Sequence, residues 1–168
     1  AGGSRWVATR ARFVCNAEGR PLRIVGASFD VTERKRTQMA AEEKASELET
    51  ILQAVPAAVW IAQDPAGGNI SGNAFARDLL RLSAEENMSK SSVDAAPALR
   101  HFEVFGADGH KIEPEDLPVQ RAARGETVRN FFEELRFDDG TRISLIGDAV
   151  PLFDQGGRVR GSVAAFSD

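Results

Sequence analysis

The chain has 168 residues, of which 42% are hydrophobic and 27% charged, and its formal net charge is -4. That length suits one domain with a sizeable core rather than two ordinary ones, and the composition is that of a folding globular chain. Lys and Arg are scattered among the acids, which leaves no basic stripe for nucleic acid and no cationic membrane face.

No apolar run approaches the roughly 20 residues a membrane-spanning helix needs. The lone Cys15 excludes an internal disulfide framework and a cysteine-based zinc site, so a reducing cytoplasm is the expected compartment.

In chain order, Arg5 to Cys15 is rich in β-formers and predicts a strand. Asn16 to Arg20 predicts a turn and Leu22 to Phe29 a second strand, together an antiparallel hairpin. Asp30 stands three residues before Glu33, the spacing of a helix-capping pair, and predicts a helix from near Thr32 to about Val55, ahead of Pro56. Such a helix is about 35 Å long at ~1.5 Å per residue. Ala41, Ala45, Leu48, Leu52 and Val55 fall on one heptad seam, which suits a parallel partner helix. A single amphipathic helix lying on its own domain would use the same stripe, and the sequence leaves both open.

Beyond Pro56, Ala57 to Gln63 and Asn69 to Gly72 predict strands, and Asn73 caps a helix running to about Leu82. The polar, Ser-rich stretch 83–98 predicts loop or short helical turns. Phe102 to Phe105 predicts a short strand, and Leu117 to Arg124 a short helix closed by Gly125. Arg129 to Phe137, Arg142 to Leu152 and Arg158 to Phe166 complete an antiparallel meander joined by Asp/Gly-containing turns.

The two ends of the chain repeat. Gly19-Arg20 to Asp30 and Gly157-Arg158 to Asp168 share one register, offset by 138 residues (157 - 19 and 168 - 30). Upstream, Gly3-Ser4-Arg5-Trp6 echoes Gly140-Thr141-Arg142-Ile143 at an offset of 137, which implies one residue of slippage in the intervening strand.

With Asp30-Val31-Thr32-Glu33-Arg34-Lys35 following a strand, a Gly turn and a strand, this organisation resembles tandem PAS domains, whose closing sequence reads Asp-hydrophobic-Thr-Glu-Arg-Lys. Ala57 to Ile61, Asn73-Ala74-Phe75, Asp116-Leu117-Pro118, Arg124-Gly125-Glu126 and Asp139-Gly140-Thr141-Arg142 also look like PAS sequence. The resemblance implies an α+β PAS fold: a five-stranded antiparallel sheet with helices on one face, preceded here by a β-hairpin and a long linker helix.

On that reading, residues 1–32 close a preceding PAS domain, 33–55 form a signalling linker helix and 56–168 a complete PAS domain. The start without Met, and the stop at Asp168 where the family continues, predict a piece of a longer chain.

Asp30, Thr32 and Asp168 are the signal-relay residues the resemblance implies; as ordinary helix caps they would look the same. A ligand pocket on the helix side would be lined by inward residues such as Val59, Ile61, Phe75, Leu79, Leu80, Ile143 and Leu145, which would equally make a packed core.

The cofactor is unknown. The resemblance argues against a covalent flavin adduct, since Cys15 lies in the hairpin, and against haem, since no histidine occupies Leu117 to Arg124. His101 and His110 read as solvent-exposed, and the acid pairs Glu133-Glu134 and Asp138-Asp139 as surface charge.

Neither a phosphate-binding Gly loop nor a His-Glu-x-x-His or Gly-x-Ser-x-Gly motif occurs, so the expected role is regulatory rather than catalytic. The expected protein is a bacterial sensor, a histidine kinase of a two-component phosphorelay, working as a homodimer with neighbouring PAS and output domains and a small-molecule ligand. The alternatives are a ligand-free structural PAS module and a regulatory part of a cyclic-dinucleotide enzyme.

Overall fold

The computed structural model describes residues 4–83, 86–92 and 99–168. The chain divides into two units, residues 1–50 and 51–168. Half of the predicted polar stretch 83–98 lies outside the described residues, as does Gly3 of the upstream echo.

In the first unit, β1 (Val7–Cys15) and β2 (Pro21–Asp30) pair antiparallel, and α1 starts at Thr32 as the capping pattern predicts, running to Ala54. The β1-β2 turn is closed by backbone bonds from Asn16 to Arg20 (2.9 Å) and from Gly19 to Asn16 (3.0 Å), with Gly19 at φ 76°.

The second unit holds β3 (Ala58–Ala62), β4 (Ile70–Gly72), α2 (Ala74–Leu80), β5 (Phe102–Gly106), a 3-10 turn (Pro114–Asp116), α3 (Pro118–Ala123), β6 (Val128–Phe137), β7 (Arg142–Phe153) and β8 (Val159–Ser167). The strands form one antiparallel sheet in the order β4-β3-β8-β7-β6-β5. This is six strands among the described residues, not five. The count exceeds what the resemblance implies, but each strand is expected from the sequence, including β5 as the short strand from Phe102; its Phe102 and Val104 face the core and its backbone pairs with the far edge of β6.

The hairpin β7-β8 repeats β1-β2 bond for bond. Adding 138 to the pairs from Ala8↔Phe29 to Cys15↔Pro21 reproduces every β7-β8 pair from Ile146↔Ser167 to Phe153↔Val159, irregularity before the turn included. The turn bonds recur between Asp154 and Arg158 (2.8 Å) and between Gly157 and Asp154 (3.1 Å), and Gly157 also has φ 76°. The offset of 138 between the two hairpins holds at every paired position from Ala8 to Phe29, so no one-residue slippage falls within that span.

The core lies on the helix side of the sheet, where Trp60, Phe102, Leu135, Leu145 and Phe166 pack beneath α2 and α3. Ser162 Oγ donates to the Val119 carbonyl (2.8 Å), pinning α3 to β8. Asn73 uses its whole side chain. Its Oδ1 accepts from Ala76 N (2.9 Å), capping α2, and from Val59 N (3.1 Å), while its Nδ2 donates to the carbonyls of Leu52 and Ala57 (2.9 Å each).

Asn73→Ala removes the cap and strands several buried partners, and is expected to cost about 2–4 kcal/mol. Urea denaturation of the full chain measures this; a loss below ~0.5 kcal/mol would show that Asn73 is dispensable.

A candidate ligand cavity on the helix side of the sheet

Strand β6 builds the site. Side chains alternate across a strand, so Phe131, Glu133, Leu135 and Phe137 face the core while Phe132, Glu134 and Arg136 face away. Glu133 is therefore only 7% exposed, which overturns its reading as surface charge. Glu134 does face outward, paired with Arg136. The missed signal was the phase of the strand: Glu133 sits two residues from both Phe131 and Leu135.

Glu133 lines a cavity of about 60 Å³ between the sheet (Trp60, Phe102, Phe166) and the segment above it (Leu80, Met88, Leu117). Among the described residues no cation pairs with its carboxyl, and burial alone pushes the pKa up to about 7. Two further polar groups reach the cavity, Gln120 and Lys90.

Gln120, 2% exposed on α3, donates from Nε2 to Ser91 Oγ (3.2 Å); that hydroxyl donates onward to the Gly67 carbonyl (3.3 Å). The Gln120 Oε1 is buried without a partner. Lys90 spends its ammonium elsewhere: Nζ donates to the carbonyls of Leu99 and Phe102 (2.7 Å each) and stands 3.8 Å above the Phe102 ring. Burial, reinforced by the like charge of Lys111, pushes its pKa down to about 8.

Of the residues anticipated for a pocket, Leu80 lines the cavity and Leu145 lies in the core opposite Glu133 on β7. Phe75, Leu79 and Ile143 are half-buried against that core. Val59 is buried and Ile61 half-buried, and they alternate with Ala58, Trp60 and Ala62, which belong to the main core cluster. An all-apolar Ala-Val-Trp-Ile-Ala strand carries no polar residue to mark its phase, so Trp60 went unnoticed.

His101 also departs from its reading as exposed. It is half-buried beside Phe102 and Phe137, and its Nε2 is buried without a partner. His110 is exposed, 3.2 Å from Asp108.

In the first unit, Asp30 Oδ1 accepts from Thr32 N (2.9 Å) and Thr32 Oγ1 accepts from Trp6 N (2.9 Å). The Thr32 side chain and backbone hydrogen bonds hold the Asp30 pKa below its usual value. Asp168 directly follows the last residue of β8, as Asp30 ends β2. Of the heptad-seam residues, Ala41, Ala45 and Leu48 are exposed on α1, Leu52 is half-buried near its end, and Val55, just past that end, is half-buried.

Among the described residues no His, Cys, Asp and Glu group could hold a metal ion, and no helix is long and apolar enough to cross a membrane.

A six-stranded antiparallel sheet with short helices over one face and a small cavity between them is the frame of a sensory domain. The model of the PAS fold matches residues 46–168, and the chain belongs to that family of signal-sensing modules. The PAS domain of an HTR-like protein from Haloarcula marismortui is similar at 20% identity and a TM-score of 0.50, the match covering 80% of this chain and 98% of that one. The DhaR(N)-DhaL complex of E. coli is similar at 13% identity and a TM-score of 0.48, covering 95% of this chain and 54% of that chain. No curated protein matches.

The buried carboxyl sets a pH dependence. With a folded pKa of about 7 against 4.5 unfolded, stability is full below pH 4.5, falls as the unfolded state ionises, and is lowest above pH 7. The loss is about 3 kcal/mol. Glu133→Gln is expected to remove that decline, which urea denaturation at pH 5 and pH 8 measures. Equal pH slopes for the two proteins would place the ionised carboxylate in water.

Proposed function

We propose that this chain is the sensory part of a multidomain bacterial signalling protein, working in the cytoplasm and controlling an output enzyme that we take to be a histidine kinase. It carries no chemistry of its own. A small molecule enters the helix-side cavity, and the response leaves through the linker helix. The observation that carries this reading is the cavity itself, with an uncompensated buried carboxyl and an unpartnered amide oxygen inside the core of a PAS fold.

The matched hairpins support a tandem arrangement, in which residues 1–32 close a preceding PAS unit and α1 links it to the unit that follows. Asp30 and Thr32 then act where strand becomes helix. Thr32 bonds both to Asp30 and to the start of β1 at Trp6, so a shift of the hairpin moves the first turn of α1. Asp168 is the corresponding exit residue of the second unit.

Homodimerisation runs along α1, which buries none of its residues within the chain and exposes Leu48 (61%), Met39 and Ile51. A second reading, a ligand-free PAS module that dimerises and relays strain, is favoured by one observation: 60 Å³ is well under the ~150 Å³ cavity that takes benzene in an engineered core.

Native mass spectrometry of the full chain separates the two. The sensor reading expects a retained or exchangeable small ligand, and a chain that binds nothing would leave only the structural module. Sedimentation of wild type and Leu48→Glu tests the seam: the variant is expected to dimerise at least ~10-fold more weakly, since a charge must be desolvated at the contact. An unchanged association would move the interface off α1.

A further inference from the structure

The cavity holds two acceptor groups that no donor among the described residues meets, and this restricts what can occupy it. Glu133 presents a carboxyl from β6 with no partner among the described residues, and Gln120 presents a buried, unpartnered Oε1 from α3. Lys90 is the other charged group lining the space, and its ammonium is committed to the Leu99 and Phe102 carbonyls. From the strands flanking β6, the residues opposite Glu133 are Gly106 and Leu145, neither of which carries a charge.

Trp60 and Phe166 also line the cavity, and aromatic rings attract cations. A buried carboxylate without a cation is costly, so a ligand that brings one gains from that deficit. An anion or a pure acceptor would add a third group of the same kind. The size is restrictive too: 60 Å³ is about two waters' share of liquid volume, room for a ligand of about two or three non-hydrogen atoms.

Resting on the reading of this cavity as a sensory site, we propose that it binds a small organic ammonium ion, whose charge is met by the ionised Glu133 carboxylate and whose N-H groups bond to that carboxylate and to Gln120 Oε1. Binding a cation requires the carboxyl to give up its proton to solvent. Affinity therefore rises with pH. With the Glu133 carboxyl titrating near 7, the ionised fraction, and with it the affinity, increases about tenfold from pH 6 to pH 8.

The test titrates the full chain with methylammonium and ethylammonium at constant ionic strength, following the Trp60 indole and Met88 methyl resonances by NMR. Methanol and acetate serve as neutral and anionic probes of similar size, and xenon as an apolar one. The proposal expects saturable shifts with the ammonium ions alone, about tenfold tighter at pH 8 than at pH 6 and at least tenfold weaker in Glu133→Gln.

Glu133→Gln relieves a buried ionisable group and is expected to fold, which its amide spectrum checks; Gln120→Leu, which removes the second acceptor, gives an independent variant with the same expected loss. Saturation by methanol or xenon equal to that by methylammonium would overturn the cation while leaving the sensory cavity in place. Silence from all the probes would overturn both.

Discussion

The side chain of Asn73 holds together three parts of the second unit, the end of α1, β3 and α2. Its two acceptor bonds go to the start of α2 and to the amide of Val59 in β3, and its two donor bonds to the Leu52 and Ala57 carbonyls on either side of Pro56. Pro56 ends the helix because it cannot supply an N-H, and the chain must turn there into a central strand. Asn73 occupies the corner that results. It is 4% exposed and fully satisfied, so the bonds act without competition from water. The last turn of α1 is thereby bonded to the same elements that cover the cavity.

The cavity shows the opposite condition, polar groups left incomplete. Glu133 occupies a core position because the β6 pleat sends alternate side chains inward and the flanking Phe131, Leu135 and Phe137 all belong inside. The burial of Phe131, Leu135 and Phe137 offsets one desolvated carboxyl, which lowers its cost by holding its proton near neutrality. A leucine there would be more stable. Gln120 is placed in the same way, its backbone in α3 over the sheet and its amide half-satisfied by Ser91.

The two hairpins show how one local sequence pattern behaves in two surroundings. Their pairing and turn bonds are identical, because turn chemistry and strand register are properties of the hairpin. Their burial differs. β8 lies between β3 and β7, with Ala164 and Phe166 in the core, whereas β1 and β2 leave Phe13, Leu22, Ile24 and Phe29 exposed. An exposed apolar hairpin of this length needs a covering surface.

Much of the fold was legible in the sequence because its signals are local. Asp30 marks the start of α1, Asn73 the cap of α2, Gly125 the end of α3, and the Asp/Gly turns the meander, each through a bond or backbone angle that spans only a few residues. The 138-residue offset went further and determined the pairing of the whole first hairpin.

What only the tertiary structure decided is which way each strand faces and what stands opposite. The phase of β3 is unmarked in an all-apolar run, and the acid pair Glu133-Glu134 straddles both faces of β6, so one member is partly exposed and the other buried. The place of β5 at the sheet edge beside β6, and the meeting of Glu133 with Gln120 in one cavity, join residues far apart in the chain, and no periodicity within a single segment encodes such a meeting.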